Sequence, residues 1–153
     1  MNKVYSLRKH IIEYINREDI DFLKELIKRY HPMGLPSESG WALKHRWFAY
    51  IIDGYICGVA WLHDSTPFEK VARLFNIDPH KSYFLRRICE TCPGIDIVEF
   101  LEMIASKLKE EDIEYIWTFK PKYEKGISVF KGSGFVEIGK TKTKREVIIK
   151  KLK

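Results

Sequence analysis

Glutamine does not occur in this chain of 153 residues, and cysteine occurs only three times, at Cys57, Cys89 and Cys92. Three cysteines are too few for a fold that depends on a framework of disulfides. The chain also contains no run of ~18 apolar residues, so we expect no transmembrane helix and no membrane partner. Residues 1–16 lack a long apolar segment followed by a small-residue cleavage site, which indicates a cytoplasmic protein.

The residues that are present are typical of a globular protein, with 45% hydrophobic and 31% charged side chains. The length predicts a single domain over residues 1–153. Lysine, glutamate and isoleucine are abundant, and together with the missing glutamine this bias resembles the composition of hyperthermophile proteins. Intracellular disulfides are an accepted exception in such organisms.

Positive charge is concentrated at the C-terminus. Residues 140–153 contain seven lysines and arginines and one glutamate, which equals the net charge of +6 for the whole chain. Such a segment attracts phosphate groups, whether of a cofactor, a nucleotide or a nucleic acid. The alternative is an edge strand whose lysines prevent pairing with the sheet of another molecule.

Hydrophobic spacing and turn residues predict strands and helices along nearly the whole chain. The predicted strands cover residues 10–15, 41–52, 55–62, 82–89, 113–119, 135–138 and 146–152. The predicted helices cover residues 16–30, a segment that begins at 66, residues 97–108 and a short segment around 127–131. Residues 31–40 form the longest turn-rich loop, and Asp53-Gly54 predicts a tight hairpin turn.

Residues 113–143 are the most informative segment. A strand ends at Lys120-Pro121, because proline cannot donate to a sheet ladder. A short helix and the permissive Gly132 and Gly134 then lead into the next strand. Residues 130–139, which read Phe-Lys-Gly-Ser-Gly-Phe-Val-Glu-Ile-Gly, resemble the C-terminal half of the GNAT superfamily of N-acyltransferases.

This resemblance implies an α/β (α+β) fold over nearly the whole chain. The expected architecture is a mixed sheet of six to seven strands with helices on both faces, which buries the apolar side of each element. An antiparallel hairpin at residues 41–62 precedes a βαβ core at residues 82–119. The sheet is expected to splay between its fourth and fifth strands, where members of the superfamily bind the pantetheine of acyl-CoA.

The superfamily binds the acyl-CoA pyrophosphate at the turn into the long helix, because unpaired N–H groups at a helix N-terminus attract anions. The family pattern Arg/Gln-x-x-Gly-x-Gly/Ala falls on residues 91–96, where Gly94 fits, Thr91 and Asp96 depart, and Pro93 lacks an N–H. A working phosphate site and a simple strand-to-helix turn both remain open. The resemblance implies that acetyl-CoA or another acyl-CoA contacts Ile88, Cys89, Glu90, Thr91, Gly94, Ile95, Asp96 and Phe130.

The resemblance also suggests catalytic residues for transfer to an unidentified amine. The superfamily places an acidic tyrosine where this chain has Phe130, so Tyr123 or an ordered water is the substitute proton donor. Glu90, at the end of the fourth strand, is the candidate general base. Backbone amides from Ile88 to Glu90 would polarise the reacting carbonyl group.

Histidines and cysteines suggest no metal site. His31, His45 and His63 lie in or beside elements that would frame the acceptor cleft, and we expect them to be surface residues. Cys89-x-x-Cys92 at a helix start predicts a lowered thiol pKa, but a second pair of zinc ligands is missing. Cys57 on the neighbouring strand favours core packing or an incidental disulfide.

A second hypothesis is a nucleic-acid-modifying or nucleic-acid-binding protein. Residues 84–87, 118–119 and 126–130 show a weaker resemblance to the Mom family of phage DNA-modifying proteins. The predicted phosphate contacts are Arg86, Arg87 and a row formed by Lys140, Lys142 and Lys144 on one side of a strand.

A third hypothesis is an inactive GNAT-like binding module. Under each of the three hypotheses we expect a monomer or a homodimer. The binding surface of the inactive module would consist of the aromatic residues around the hairpin, Trp41, Trp47, Phe48, Tyr50 and Trp61. The alternative is that these aromatic residues pack within the sheet.

Overall fold

A computed structural model describes residues 8–36 and 42–152. The strands are β1 (Lys9–Tyr14), β2 (His45–Ile52), β3 (Tyr55–Asp64), β4 (Ser82–Glu90), β5 (Tyr115–Phe119), β6 (Val136–Lys140) and β7 (Glu146–Lys151). The helices are α1 (Arg17–Tyr30), α2 (Glu69–Leu74), α3 (Ile97–Glu110) and α4 (Glu124–Gly132), with a 3-10 turn at Thr66–Phe68. This order confirms the predicted succession of elements, although Trp41, in the predicted second strand, lies outside the described residues.

The strands form one seven-stranded sheet in the order β1-β2-β3-β4-β5-β7-β6. All neighbours are antiparallel except β4 and β5, which are parallel because α3 connects them. The turn of the β2–β3 hairpin lies at Asp53 and Gly54, which both have positive φ (49° and 85°), as a two-residue turn requires. The hairpin and the βαβ core therefore confirm the predicted architecture.

The sheet divides between β4 and β5. Only three residue pairs join these strands, and the last of them is Phe84 with Trp117. Beyond Phe84, β4 continues to Glu90 without pairing to β5. The splay that the GNAT resemblance implied is therefore present, and it leaves one side of β4 available.

Apolar helix faces cover both sides of the sheet. On one side, α3 packs through Phe100, Leu101 and Ile104 against β2, β3 and β4. On the other side, α1 buries Leu23 and Ile27, while α2 covers the neighbouring part of the same face. Helix α1 begins as predicted, because the Asn16 side chain accepts the Glu18 N–H at 2.8 Å.

The four described aromatic residues of the proposed hairpin surface lie in the core. Trp47 is 3% exposed, and Phe48, Tyr50 and Trp61 are completely buried. Trp47 stacks on Trp61 with ring centroids 4.8 Å apart. The prediction of an exposed aromatic binding surface is therefore wrong for these residues, whereas packing within the sheet is confirmed.

A β-bulge interrupts the ladder between β3 and β4. Trp61 pairs with Arg87 while Leu62 pairs with Leu85, so Arg86 is an extra residue on β4. An inserted residue shifts the alternation of side chains along a strand. The two consecutive arginines therefore need not point to opposite faces of the sheet.

Their neighbours define the face to which they point. Leu85 and Ile88 pack in the cluster that contains α3. Phe84 and Cys89 pack in the clusters on the opposite face, with α2 and α1 respectively. Because Leu85 and Ile88 share one face, both Arg86 and Arg87 must lie on the opposite, α1/α2 face.

The basic C-terminal residues do not form the predicted row. Lys140 ends β6, and residues 141–145 form the turn into β7, in which Lys144 has a φ of +65°. Alternation along a strand therefore does not apply to Lys142 and Lys144, and the prediction of a straight row is wrong. No helix within residues 8–36 and 42–152 is long and apolar enough to cross a membrane.

Candidate active site

A large cleft opens where β4 and β5 diverge, and we call it the basic cleft. Its volume is about 1340 Å³. Residues after α1, the middle of β4, the end of β5, the start of α4 and the β6–β7 turn line it. Six of its side chains are basic, namely Arg86, Arg87, Lys120, Lys122, Lys144 and Arg145. Its one carboxylate, Glu146, lies 3.3 Å from the ammonium of Lys120.

A smaller opening of about 100 Å³, the narrow pocket, lies beside the N-terminus of α3. Its lining is mostly apolar and includes Ile97 and Val129, with Glu90 and Lys125 at the polar end. The two spaces share four lining residues, which are Pro32, Ile88, Tyr123 and Phe130. The basic cleft and the narrow pocket therefore meet at the split in the sheet.

Backbone amides of β4 point into this split. The N–H of Thr91 donates to Cys57 on β3, in register with the β3–β4 ladder. Because donors in an antiparallel ladder alternate between the two sides of a strand, the N–H groups of Ile88 and Glu90 face away from β3. No β5 residue pairs with them. The N–H groups of Ile88 and Glu90 therefore point into the space between β4 and β5.

The turn at residues 91–96 is fixed at several points. Gly94 has a φ of +75°, which favours glycine, and an added Cβ there would meet nothing within 4 Å. The Thr91 hydroxyl donates to the Ile56 carbonyl at 2.9 Å. A disulfide joins Cys92 to Cys57 on β3. The turn is therefore held against the sheet.

Asp96 is the N-cap of α3. Its Oδ1 accepts the N–H groups of Val98 at 3.0 Å and Glu99 at 3.3 Å. The carboxylate thereby satisfies two of the donors that a helix N-terminus leaves unpaired. A helix cap was one of the roles that the sequence left open for Asp96, and this cap leaves fewer α3 amides for a phosphate.

The Tyr123 hydroxyl is hydrogen-bonded to His31, which lies 92 positions earlier in the chain. The backbone N–H of Met33 donates to His31 Nδ1 at 3.0 Å, so this nitrogen carries a lone pair. The neutral imidazole then has its proton on Nε2, which lies 3.2 Å from the Tyr123 hydroxyl. Tyr123 therefore accepts from His31 and keeps its own proton for donation elsewhere.

Burial supports these protonation states. It lowers the pKa of His31 to about 4, with a further contribution from the charge of Arg87, so the imidazole is neutral at pH 7. Burial also raises the pKa of Tyr123 above its usual value, against the opposing charge of Arg87. The pair is therefore a neutral imidazole and a protonated phenol.

The other candidate residues divide between the two spaces. Glu90 lines the narrow pocket, not the basic cleft, and its carboxylate contacts the Lys125 ammonium. Phe130 is buried and packs on Phe135 with ring centroids 5.0 Å apart. It lies at the junction as an apolar wall, whereas Tyr123 supplies the hydroxyl there.

Only one of the three predicted cleft histidines lines the basic cleft, and the prediction of surface histidines is wrong for two. His31 is 7% exposed and His63 is completely buried. Burial also lowers the pKa of His63 to about 4, although its Nδ1 lies 2.7 Å from the Asp64 carbonyl. His45 accepts from the Trp61 indole at 3.1 Å.

The cysteines also differ from the prediction. Cys89 is free and buried, and burial raises its pKa to about 12, so the predicted lowered thiol pKa is wrong. Cys92 is oxidised with Cys57, which is the disulfide that the sequence left open. Within residues 8–36 and 42–152, no group of three or more His, Cys, Asp or Glu side chains could hold a metal ion.

Comparison with known proteins places the chain in a family. No family model matches it. Uncharacterized protein 154 of Sulfolobus islandicus rod-shaped virus 1 is 37% identical over 158 residues, which cover 99% of this chain and 99% of the viral protein. The chain belongs to the family of this viral protein.

Its fold is that of the GNAT superfamily, as the segment 113–143 predicted. Aminoglycoside acetyltransferase AAC(6')-Ib, solved with coenzyme A, has a TM-score of 0.67 at 14% identity and matches 93% of this chain and 95% of its own. The GNAT domain of S. lividans PAT has a TM-score of 0.63 at 13% identity and matches 95% of this chain and 90% of its own.

Two features of this GNAT-fold site were missed at the sequence level. His31 was expected beside the acceptor cleft as a surface residue, but its pairing with Tyr123 was not foreseen, because it joins residues that are 92 positions apart. Arg86 and Arg87 were considered as outward-facing phosphate contacts, whereas both line the basic cleft and are half-buried. Only the Arg-Arg pair itself was visible in the sequence.

Proposed function

We propose that this protein is an acyl-CoA-dependent N-acyltransferase that transfers an acetyl or related acyl group to an amine. The proposal depends on one observation: the basic cleft and the mostly apolar narrow pocket meet at Tyr123, where β4 and β5 have separated. One space would admit the acyl donor and the other the amine, so both reactants reach the same short stretch of β4.

The narrow pocket fits an acyl-CoA arm. Its walls of Ile88, Ile97, Val129 and Phe130 suit a slender, largely apolar chain. The β4 amides of Ile88 and Glu90 would hold it along the strand, in the manner of an added β-strand. Thr91, Gly94, Ile95 and Asp96, together with Lys125, would surround its phosphates.

Acyl-CoA supplies an activated thioester, so that a C–N bond to the amine forms while the C–S bond breaks. The N–H groups of Ile88 and Glu90 are available to stabilise charge on the carbonyl oxygen. Tyr123 holds a proton on its hydroxyl for the departing sulfur. His31 Nε2–H and the charge of Arg87 then stabilise the phenolate, which regains its proton from water.

The amine must lose one proton during transfer. The basic cleft is open to solvent, so water can accept this proton directly. Glu90 remains our candidate general base, but it lines the narrow pocket, so it would reach the amine only through water. A Glu90→Gln variant that keeps full activity would exclude this role.

Acetyl-CoA binding tests the proposal most directly. At 100 times its dissociation constant, a ligand adds ~2.7 kcal/mol of stability, so the thermal unfolding midpoint should rise clearly. Gly94→Leu should weaken this effect, because the side chain would strain a residue at φ +75° beside the narrow pocket.

Gly54→Leu is the matched control, because Gly54 also has a positive φ (+85°) and open space around its Cβ, but lies in the β2–β3 turn. It should lose a similar amount of stability and keep the response to acetyl-CoA. If neither acetyl-CoA nor longer acyl-CoAs shift the midpoint or give heat in calorimetry, the enzyme proposal fails and a binding module remains.

A further inference from the structure

Three arginines of the basic cleft form a cluster that we call the arginine triad: Arg86 and Arg87 on β4 and Arg145 in the β6–β7 turn. The bulge at Arg86 directs both β4 arginines to the face that carries the cleft. Burial lowers the pKa of Arg86 and of Arg87, and the neighbouring charges of Arg145 and Arg86, respectively, lower them further. The Arg86 guanidinium is therefore close enough to both Arg87 and Arg145 for like charges to repel.

None of the three forms an ion pair with any residue in 8–36 or 42–152. Arg87 donates instead to two backbone carbonyls, those of Gly34 and Arg86, at 2.9 and 2.8 Å. Those carbonyls partly offset the charge of Arg87, but they do not contact Arg86 or Arg145. Partly buried charges of like sign are costly when they lack an opposite charge.

Arg46 is a buried arginine with a structural role, and it provides a comparison for the triad. Its guanidinium is 4% exposed and forms bidentate contacts with Glu13 and Glu111 at 2.7 to 2.9 Å. Two carboxylates thus neutralise one buried arginine on β2. The absence of such partners from the triad points to an anion that comes from outside the described chain.

Aromatic rings lie beneath two of the three guanidinium groups, those of Arg86 and Arg145. The Arg86 guanidinium lies 5.9 Å from the ring centroids of Phe68 and Phe84, and that of Arg145 lies 3.6 Å from the ring centroid of Phe119. Rings in these positions hold the guanidinium groups in place and exclude water from one side. An anion above them would be bound more strongly than at an open surface.

The triad is adjacent to the proposed reaction centre. Arg87 precedes Ile88, so their Cα atoms are ~3.8 Å apart. Its charge also influences the pKa of both His31 and Tyr123. An anion bound beside Arg87 would therefore lie near a group that reacts beside Tyr123.

We propose that the arginine triad binds an oxyanion of the acceptor, so that the acceptor is an amine with a carboxylate or phosphate a few bonds from its nitrogen. This inference rests on the proposed acyltransferase function. Guanidinium groups match both oxyanions through paired N–H donors, and the test separates the two sources.

The first experiment measures binding of small amines by calorimetry without acyl-CoA. Phosphoethanolamine, β-alanine and ethanolamine share a two-carbon skeleton and differ in whether they carry a phosphate, a carboxylate or no anion. We expect one or both anionic amines to bind at least tenfold more tightly than ethanolamine. The stronger of the two identifies the oxyanion, whereas equal affinity for all three would overturn the proposal.

The second experiment repeats the titration with variants. Arg86→Gln and Arg87→Gln should each weaken binding of the preferred amine roughly tenfold or more, the size expected for a charge-assisted hydrogen bond. Arg29→Gln removes an exposed arginine of α1 and is the matched control with unchanged affinity. If a Gln variant does not fold, Arg86→Lys and Arg87→Lys keep the charge but lose the paired donors, and they should still weaken binding.

The third experiment follows release of the CoA thiol from acetyl-CoA with each amine and separates the two proposals. Equal acetylation of ethanolamine that the Gln variants do not alter would overturn the anionic acceptor and leave the acyltransferase standing. If these variants lose acetyl-CoA binding, the triad binds the acyl donor, and the proposal of an acceptor oxyanion site is overturned. Binding of an anionic amine without any acetyl-CoA binding would support the oxyanion site and refute the enzyme. Triad-dependent binding of a 20-nucleotide DNA strand, with no binding of the small amines, would overturn the proposal in favour of a polyanion.

Discussion

Tyr123 contacts His31 at the junction of the basic cleft and the narrow pocket, and this contact decides which of the two side chains can donate a proton. Because the Met33 N–H occupies Nδ1, the histidine donates through Nε2 and the phenol proton stays available. A residue that was identified only as a substitute for a missing tyrosine thus has a defined hydrogen-bonding state.

We predict that Tyr123→Phe lowers kcat for acyl transfer about 100-fold or more, because general acid catalysis contributes this much. The KM values should change little, since the ring that lines the pocket remains. Steady-state thiol release measures both constants. The exposed Tyr55→Phe is the control. A raised KM with unchanged kcat would show that Tyr123 only binds a substrate.

Two buried histidines should make stability depend on pH. The pKa of His31 and of His63 is about 4 in the folded protein, below the ordinary value of 6.5. Between these values the unfolded chain binds more protons, so the free energy of unfolding falls as pH falls. We expect a loss of about 2 kcal/mol per histidine from pH 7 to pH 5.

Denaturant unfolding at pH 7, 6 and 5 measures this slope, above the range in which most carboxylates titrate. His31→Gln should remove about half of the slope, while the exposed His80→Gln should keep all of it. A flat profile from pH 7 to pH 5 would contradict the assigned burial of both rings.

Single site residues were predictable from the sequence where chemistry or backbone conformation restricts which amino acid can occupy the position. Tyr123 was selected because Phe130 has no proton to donate, and Gly94 because the family pattern requires glycine there. The side-chain partner of Tyr123 and the common face of Arg86 and Arg87 could not be found. Both depend on a bulge or a long-range contact that leaves no periodic pattern in the sequence.

The start of α3 is the element with the clearest consequence for donor binding. Asp96 caps the helix and occupies the Val98 and Glu99 amides. We predict that Asp96→Gly tightens acetyl-CoA binding roughly fivefold, because it removes ~1 kcal/mol of repulsion at a partly exposed site. Unfolding should become only a few tenths of a kcal/mol easier, since glycine is itself a good N-cap.

Asp96→Asn separates the two causes, because asparagine caps equally well but carries no charge. Tighter binding in both variants would identify charge repulsion, and tighter binding in the glycine variant alone would identify the released amides. Weaker binding in both would show that the capped turn organises the donor site. Calorimetry at low salt gives the dissociation constants.

The elements themselves were largely predictable. Apolar residues at helical spacing gave α1 and α3, the Asp53-Gly54 turn gave the hairpin, and Lys120-Pro121 ended β5 as expected. The C-terminal turn was not found, since the alternation of lysine and threonine at 140–144 imitates a strand. Charge alternation without apolar residues carries no information about which face is buried.

At the scale of the whole molecule, one covalent link joins β3 to the turn before α3. The Cys57–Cys92 disulfide closes a loop with a sequence separation of 35 residues, which predicts about 3–4 kcal/mol of stabilisation through the unfolded state. We predict that a phosphine reductant and the Cys57→Ser/Cys92→Ser double variant lower the unfolding free energy by similar amounts.

The double variant is its own control, because a reductant should leave its denaturation midpoint unchanged. Mass spectrometry establishes that the wild-type disulfide has been reduced before unfolding is measured. If the reduced wild type unfolds at the same denaturant concentration as the oxidised protein, the link contributes nothing to global stability and serves only to position the turn.

The overall topology followed from a resemblance in residues 113–143, and the order of the seven strands agrees with it. The separation of β4 from β5 was implied only by the family resemblance, because no particular amino acids mark a strand edge that lacks a pairing partner. The positive charge of the basic cleft could not be predicted from the sequence either. Its arginines come from β4 and from the β6–β7 turn, which only the folded chain brings together.

The state of the cysteines also determines how the reaction can be observed. In the oxidised protein, two sulfurs are joined to each other and the third, Cys89, is buried. A colorimetric thiol reagent added to the folded oxidised protein would therefore report CoA released by the proposed acyl transfer, with little background from the protein. Material produced in a reducing cytoplasm would present Cys57 and Cys92 as thiols and consume the same reagent, so the redox history of a preparation sets the baseline of the assay.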